Sequence, residues 1–168
     1  MTSGTAGAAA SAWSRLWPLA LPLAYAAHLA EEALGGFVPW MRTVGVAPTM
    51  DERRFLLLNA VFFSAVAAVA VAAVASGLRR PAPRLLAAAF GAALSMNGAI
   101  HLVASAATGT YSPGAWTGAL LYLPLGYLLF ASPGVDLAGA EKRTAWLAAV
   151  GIHVVVFLLA RFGVPGLR

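Results

Sequence analysis

The chain has no cysteine, and only 10% of its 168 residues are charged. The missing cysteine excludes disulfides, thiolate metal sites and cysteine nucleophiles. The shortage of charge excludes an ordinary water-soluble globule, in which about a quarter of residues are charged. With 61% hydrophobic residues and a mean hydropathy of +0.81, the chain has too little polar surface to cover a globule in water. A clustered basic face is absent as well. The formal net charge of +5 comes from arginines set between apolar segments, the usual membrane-flank distribution, so nucleic acid is not expected as a partner. No internal repeat of useful length is visible. What is present is long apolar runs, and they predict a multi-pass integral protein of the cell membrane.

Arg15 followed by "LWPLALPLAYAA" has the outline of a secretory signal. Cleavage would have to fall within "HLAEEALGG", which offers no small-residue site, so the segment reads as a retained helix. Residues 1–12 are expected to be a disordered tail and 13–168 a single membrane-embedded helical domain. A bilayer core needs roughly 20 apolar residues per helix. Five segments qualify, at about 16–34, 55–77, 84–106, 115–132 and 144–161, giving an all-α bundle of five transmembrane helices. "GGFVPWMRTVGVAPTMDERR", "RRPAPR", "TGTYSPG" and "SPGVDLAGAEKR" read as the loops between them. Arg15, Arg79, Arg80, Arg84, Lys142 and Arg143 then share one side, against Arg42, Arg53, Arg54, Arg161 and Arg168 on the other. Six against five, with "RRPAPR" the most compact cluster, places the amino terminus in the cytoplasm.

In this arrangement the intramembrane polar residues fall into one layer. Helices one, three and five run toward the non-cytoplasmic face and each carries one of the three histidines, His28, His101 and His153. Helices two and four run back, so their early residues Asn59, Thr117 and Tyr122 share the same depth, and Asn97 lies one turn before His101. At about 100° per residue, Glu31 and Glu32 flank His28 on one helix face. An ionised group at mid-membrane costs roughly 2.5–3.5 kcal/mol, and such groups normally pair or serve a function.

Taken singly, each residue has an ordinary structural reading. The two glutamates can be interfacial anchors near a helix end, and His153 and Asn97 can be interhelical hydrogen-bonding groups. Asn59, Thr117 and Tyr122 read as packing or supporting groups. The coincidence of depth across three helices is what argues for a polar functional site.

"HLAEE" (His28, Glu31, Glu32), "NGAIH" (Asn97, His101), "YSPGAWTGALLYLPLG" (residues 111–126) and a late His153 together have a family likeness. The chain resembles the HXXEE family of small integral membrane proteins, named for the first of these motifs. The resemblance runs over most of the chain and implies no particular reaction, so the chemistry has to come from the residues.

Three imidazoles with one or two carboxylates form a ligand set for iron, zinc or manganese. His28, Glu32, His101 and His153 are the expected ligands, with Glu32 preferred to Glu31 because i+4 lies closer in angle to His28. Glu31 comes next, and Asn97 can orient a ligand. The same residues, His28, Glu31, Glu32, His101 and Asn97, can instead act as acid and base without a metal, since an apolar pocket keeps a carboxyl protonated. Trp116, Tyr122 and Trp146 can then stabilise a carbocation, as in an isomerase or terpene-type cyclase. Asn59, Trp116, Thr117, Tyr122 and Trp146 are the expected pocket residues. A proton or metal transporter is a third reading, disfavoured by the lack of inverted repeats. The inventory favours a metal, because an acid–base pair needs one histidine and the chain supplies three. A site between membrane helices is filled most readily from the bilayer, so a lipophilic molecule is expected: an isoprenoid, a fatty chain or a polyketide. Oligomeric state is not encoded in any feature of the sequence.

Overall fold

Glycine, proline and one aspartate divide the apolar sequence into helices. The computed structural model describes residues 15–131, 135 and 137–163, so the expected tail at 1–12 lies outside the described residues. A 3₁₀ turn at Trp17–Leu19, with Pro18 inside it, leads into α1 at Ala20–Leu34. Gly36, at φ +75°, makes the left-handed turn into the short α2 at Phe37–Thr43. Asp51 caps α3, Glu52–Ala75, by accepting the Arg54 N–H at 2.8 Å. Pro81 opens α4, Pro81–Thr108, which Gly109 closes at φ +65°. Next come α5, Ala115–Phe130, and α6, Gly139–Phe162. No strand occurs among the described residues.

Three of these helices, not five, are long and apolar enough to cross a membrane: α3, α4 and α6. Of the five expected crossings, those of α1 and α5 fall short of this length, because each helix is shortened by its own punctuation. Fifteen residues in α1, at about 1.5 Å each, reach roughly 22 Å against a hydrocarbon thickness of about 30 Å. The helix α2 also occupies part of the stretch read from sequence as loop, and α6 starts at Gly139, earlier than 144.

At the centre stands α4. Of its most apolar window 56% is buried, against 17% for α3 and 11% for α6, so α4 is the packing post and the other two present most of their surface outward. Small residues let neighbours approach it. A Cβ on Gly98 would come within 3.0 Å of the Gly118 carbonyl oxygen and of Tyr122 Cβ. Ala87, Ala88, Ala92 and Ala93 are buried on the same helix. Without a hydrophobic drive between helices in lipid, such small-residue contacts supply the packing. On α1 the buried residues are Leu21, Tyr25, His28 and Glu32, a helical stripe that carries two ionisable groups on its inward side. Far from them, Arg84 and Glu141 pair at 2.5 Å and tie α4 to α6.

Candidate metal centre

His28, Glu32 and His101 meet in the interior. All three are buried, and one ligand atom from each lies within 4.8 Å of the others. His28 and Glu32 face the same way because four residues make slightly more than one turn. His101 is brought up from α4, whose Gly98 lets α5 pack closely one turn below. Both imidazoles turn Nε2 toward the same carboxylate oxygen, Glu32 Oε1, at 3.5 Å from His28 and 3.3 Å from His101. The rings stand edge to face, 4.9 Å between centroids.

The other ring nitrogens are held by hydroxyls. His28 Nδ1 lies 2.7 Å from Thr117 Oγ1, and His101 Nδ1 lies 3.0 Å from Ser112 Oγ. The Thr117 hydroxyl has its own acceptors, the Gly114 carbonyl at 3.4 Å and the Glu31 carboxylate. Donating to one of these, it can accept from His28 Nδ1–H, and in that tautomer His28 Nε2 is free to ligate. That Nε2 is buried and has no hydrogen-bond partner. Metal-binding histidines show this pattern: one nitrogen donates to an oriented acceptor, and the other is left to ligate. Tyr122 stacks on His28 at 4.4 Å, and Phe37 lies 5.1 Å from His101. The π-helical segment Gly118–Tyr122 within α5 delivers Tyr122 to this position; such local widenings of a helix often occur at functional sites.

Glu31 stands beside this group but faces elsewhere. Its carboxylate accepts the N–H groups of Gly114 (3.0 Å), Trp116 (3.0 Å) and Thr117 (2.7 Å), and the Tyr111 hydroxyl also donates to it. The first N–H groups of α5 have no partner within the helix, and Glu31 supplies one from α1. Desolvation, then the bond to Glu31, pushes the Tyr111 phenol up to about 12, so Tyr111 stays protonated as a donor. The motif thus divides: His28 and Glu32 enter the centre, while Glu31 fastens the helix that carries Thr117.

An apolar cavity of about 750 Å³ adjoins the group, and His28, Glu32 and His101 all line it. Asn59, Asn97 and His153 line it too, whereas Thr117 and Tyr122, expected with them, are not among the lining residues. His153 is outside the group of three, and its Nδ1 bonds to the Ala149 carbonyl of its own helix at 2.9 Å. Asn59 accepts from Tyr25 at 2.5 Å, and Asn97 Oδ1 is buried without a partner. Trp116 is 66% exposed, and Trp146 packs on Phe130 at 5.3 Å. Neither is among the residues that line the cavity.

Ser112 and Gly114 are site residues that sequence reasoning passed over. Gly114 has φ +105°, and a Cβ there would lie 2.7 Å from Cε1 of both His28 and His101. The only signal was the Pro-Gly step in "TYSPG", which reads as an ordinary turn.

The fold and site together define a class: an all-helical protein with three helices of membrane-crossing length and a buried His–Glu–His group able to hold a metal ion. The chain belongs to the HXXEE family, described as proteins of unknown function with an HXXEE motif, whose model matches residues 19–129. That match includes His28, Glu31, Glu32, Asn97, His101, Thr117 and Tyr122, and leaves out His153. No curated protein matches the chain, and no solved structure does.

Proposed function

We propose that this protein is an integral membrane enzyme that holds one divalent metal ion with His28 Nε2, Glu32 and His101 Nε2 and acts on a lipophilic molecule in the adjoining cavity. The observation that carries the reading is the buried His28 Nε2, without a hydrogen-bond partner and aimed with His101 Nε2 at one oxygen of a buried carboxylate. Two imidazoles and one carboxylate suit iron, zinc or manganese and leave coordination positions open. The bound ion supplies polarisation of a substrate oxygen or access to redox chemistry.

The chain's own residues do the positioning. Thr117 and Ser112 fix the two rings, Tyr122 covers His28, and Asn97 lines the cavity beside His101. His153 serves as a cavity residue. Elemental analysis of protein purified without a histidine tag is expected to give about one iron, zinc or manganese per chain, and His101→Ala to abolish it. One observation favours a second reading: both imidazoles reach the same Glu32 oxygen, so a proton can be shared there without a metal. An active, metal-free preparation indifferent to chelators would replace the metal enzyme by an acid–base isomerase or cyclase.

The single domain is read as crossing the membrane five times with a cytoplasmic amino terminus, α1 and α5 completing their crossings through the turns that flank them. The absence of native cysteine makes this directly measurable. Single cysteines at positions 15, 46, 80, 110 and 140 are expected to label from alternating sides. Labelling of 15 and 46, or of 110 and 140, from the same side removes the corresponding crossing.

A further inference from the structure

The cavity beside the metal centre is roofed at one end of the bundle. The short α2 and the loop after it lie across that end, where Val38, Met41, Ala47 and Met50 form a buried cluster with Phe55 at the start of α3. Three attachments hold this roof down. Arg42 Nε donates to the Met50 carbonyl at 2.7 Å. Trp40 Nε1 donates to Thr110, just beyond α4, at 3.0 Å, and Ala160 near the end of α6 packs against the cluster. Met41, Met50 and Phe55 line the cavity and are themselves only 4–6% exposed.

Sideways the same cavity is open. Val61 on α3 and Val155 and Phe157 on α6 line it and are 53–71% exposed. Ile100 of α4, at the back of the gap between those helices, lines it too and is 46% exposed. Val61 lies nine residues after the start of α3, and Ile100 and Val155 lie eight and seven residues before the ends of α4 and α6. At about 1.5 Å per residue these positions are roughly 10–14 Å from the roofed end, inside a hydrocarbon layer about 30 Å thick. All three helices are long and apolar enough to cross a membrane, so the opening gives onto lipid chains rather than water. Behind it, Leu58, Phe62, Val156 and Leu159 line the same cavity as His28, Glu32 and His101. An alkyl chain passing from the bilayer into this space exchanges one apolar surrounding for another and desolvates no polar group.

From these observations we infer that a single hydrocarbon chain of a bilayer lipid enters the cavity sideways, between α3 and α6, and reaches the His–Glu–His group without passing the roof. This rests on the enzyme reading for its chemistry, since the chain is then what the centre acts on, but binding alone tests it. The chain can belong to a free fatty acid or to an intact phospholipid, and two probes tell these sources apart.

The probes are palmitic acid with a photoactivatable diazirine in mid-chain and a phosphatidylcholine carrying that same acyl chain, each added to vesicles that hold the full-length protein. Photolysis followed by peptide mapping reads where the chain lies. Labelling is expected at Met41, Met50 and Phe55, and an excess of unlabelled palmitic acid is expected to reduce it at least fivefold. Leu147 on α6 is 73% exposed and does not line the cavity, so its labelling is expected to ignore the competitor. Competable labelling by the fatty acid alone identifies a free chain, and labelling by both probes identifies the chain of an intact lipid as well. Gly151 is exposed, lines the cavity and has open space where its Cβ would be. Gly151→Trp is therefore expected to cut labelling of Phe55 at least fivefold, with Leu147 labelling, helix content and metal content unchanged. No competable labelling at the three buried positions with either probe, or wild-type labelling of Phe55 in Gly151→Trp, would overturn the inference. Metal analysis on the same preparations keeps the two claims apart: competable labelling without metal refutes the metal centre only, and metal without competable labelling refutes the sideways entry only.

Discussion

Replacing Glu31 by alanine is expected to destabilise the protein by about 2–4 kcal/mol, while Glu32→Gln next to it leaves stability within about 1 kcal/mol and abolishes metal binding. The reasoning for Glu31 is a count of what it holds. Its two oxygens accept three backbone N–H groups at the start of α5 and the Tyr111 hydroxyl. Each donor left without a partner costs about 1–3 kcal/mol when buried, and water recovers part of that at a half-exposed helix end. The loss also frees Thr117, and with it the bond that orients His28.

Glu32 makes no backbone bonds of this kind. Its neighbours are the two imidazole Nε2 atoms, and the amide of glutamine has the same shape and can donate to bare ring nitrogens. With both imidazoles neutral, the substitution removes a buried charge without stranding an opposite one, but an amide is a far poorer metal ligand than a carboxylate. Unfolding in a denaturing-detergent series, with elemental analysis of the same samples, reads both effects. Matching behaviour of the two variants would show that the adjacent glutamates are not divided between fold and centre.

The second large effect belongs to Gly114→Ala. A residue with a Cβ is strained at φ +105°, by about 1–3 kcal/mol. The new methyl would also sit 2.7 Å from a carbon of each imidazole, and overpacking adds typically 1–3 kcal/mol. A loss of about 2–5 kcal/mol is expected, together with loss of bound metal, because the rings must part to admit the methyl. Gly109→Ala is the matched control. That glycine also has a positive φ, +65°, but nothing lies within 4 Å of its Cβ position, so backbone strain acts there alone, at about 1 kcal/mol. Equal losses at the two positions, with metal retained in both, would mean that Gly114 does not pack against the histidines.

The sequence by itself determined the all-helical class, the apolar environment and the family, because composition and motif spacing need no partner contacts to be read. It also led to an expected layer of His28, Asn59, Asn97, His101, His153, Thr117 and Tyr122, of which the first five line one cavity while Thr117 and Tyr122 contact His28 from outside that lining. Depth, however, is only one coordinate of a side chain in a bundle. Rotation about each helix axis is set by packing against neighbours, through contacts such as Gly98 on Gly118, and no periodicity in an all-apolar helix reports it. Tertiary structure therefore decided that His101 closes on Glu32 while His153 stays on the wall, and that Trp116 and Trp146 stand outside. It decided the division of the two glutamates as well. Glu31 and Glu32 differ by one residue, about 100° of helix, and only the arrival of α5, whose Trp116 and Thr117 lie 85 and 86 residues beyond Glu31, turns that angle into a clamp on one side and a member of the His–Glu–His group on the other.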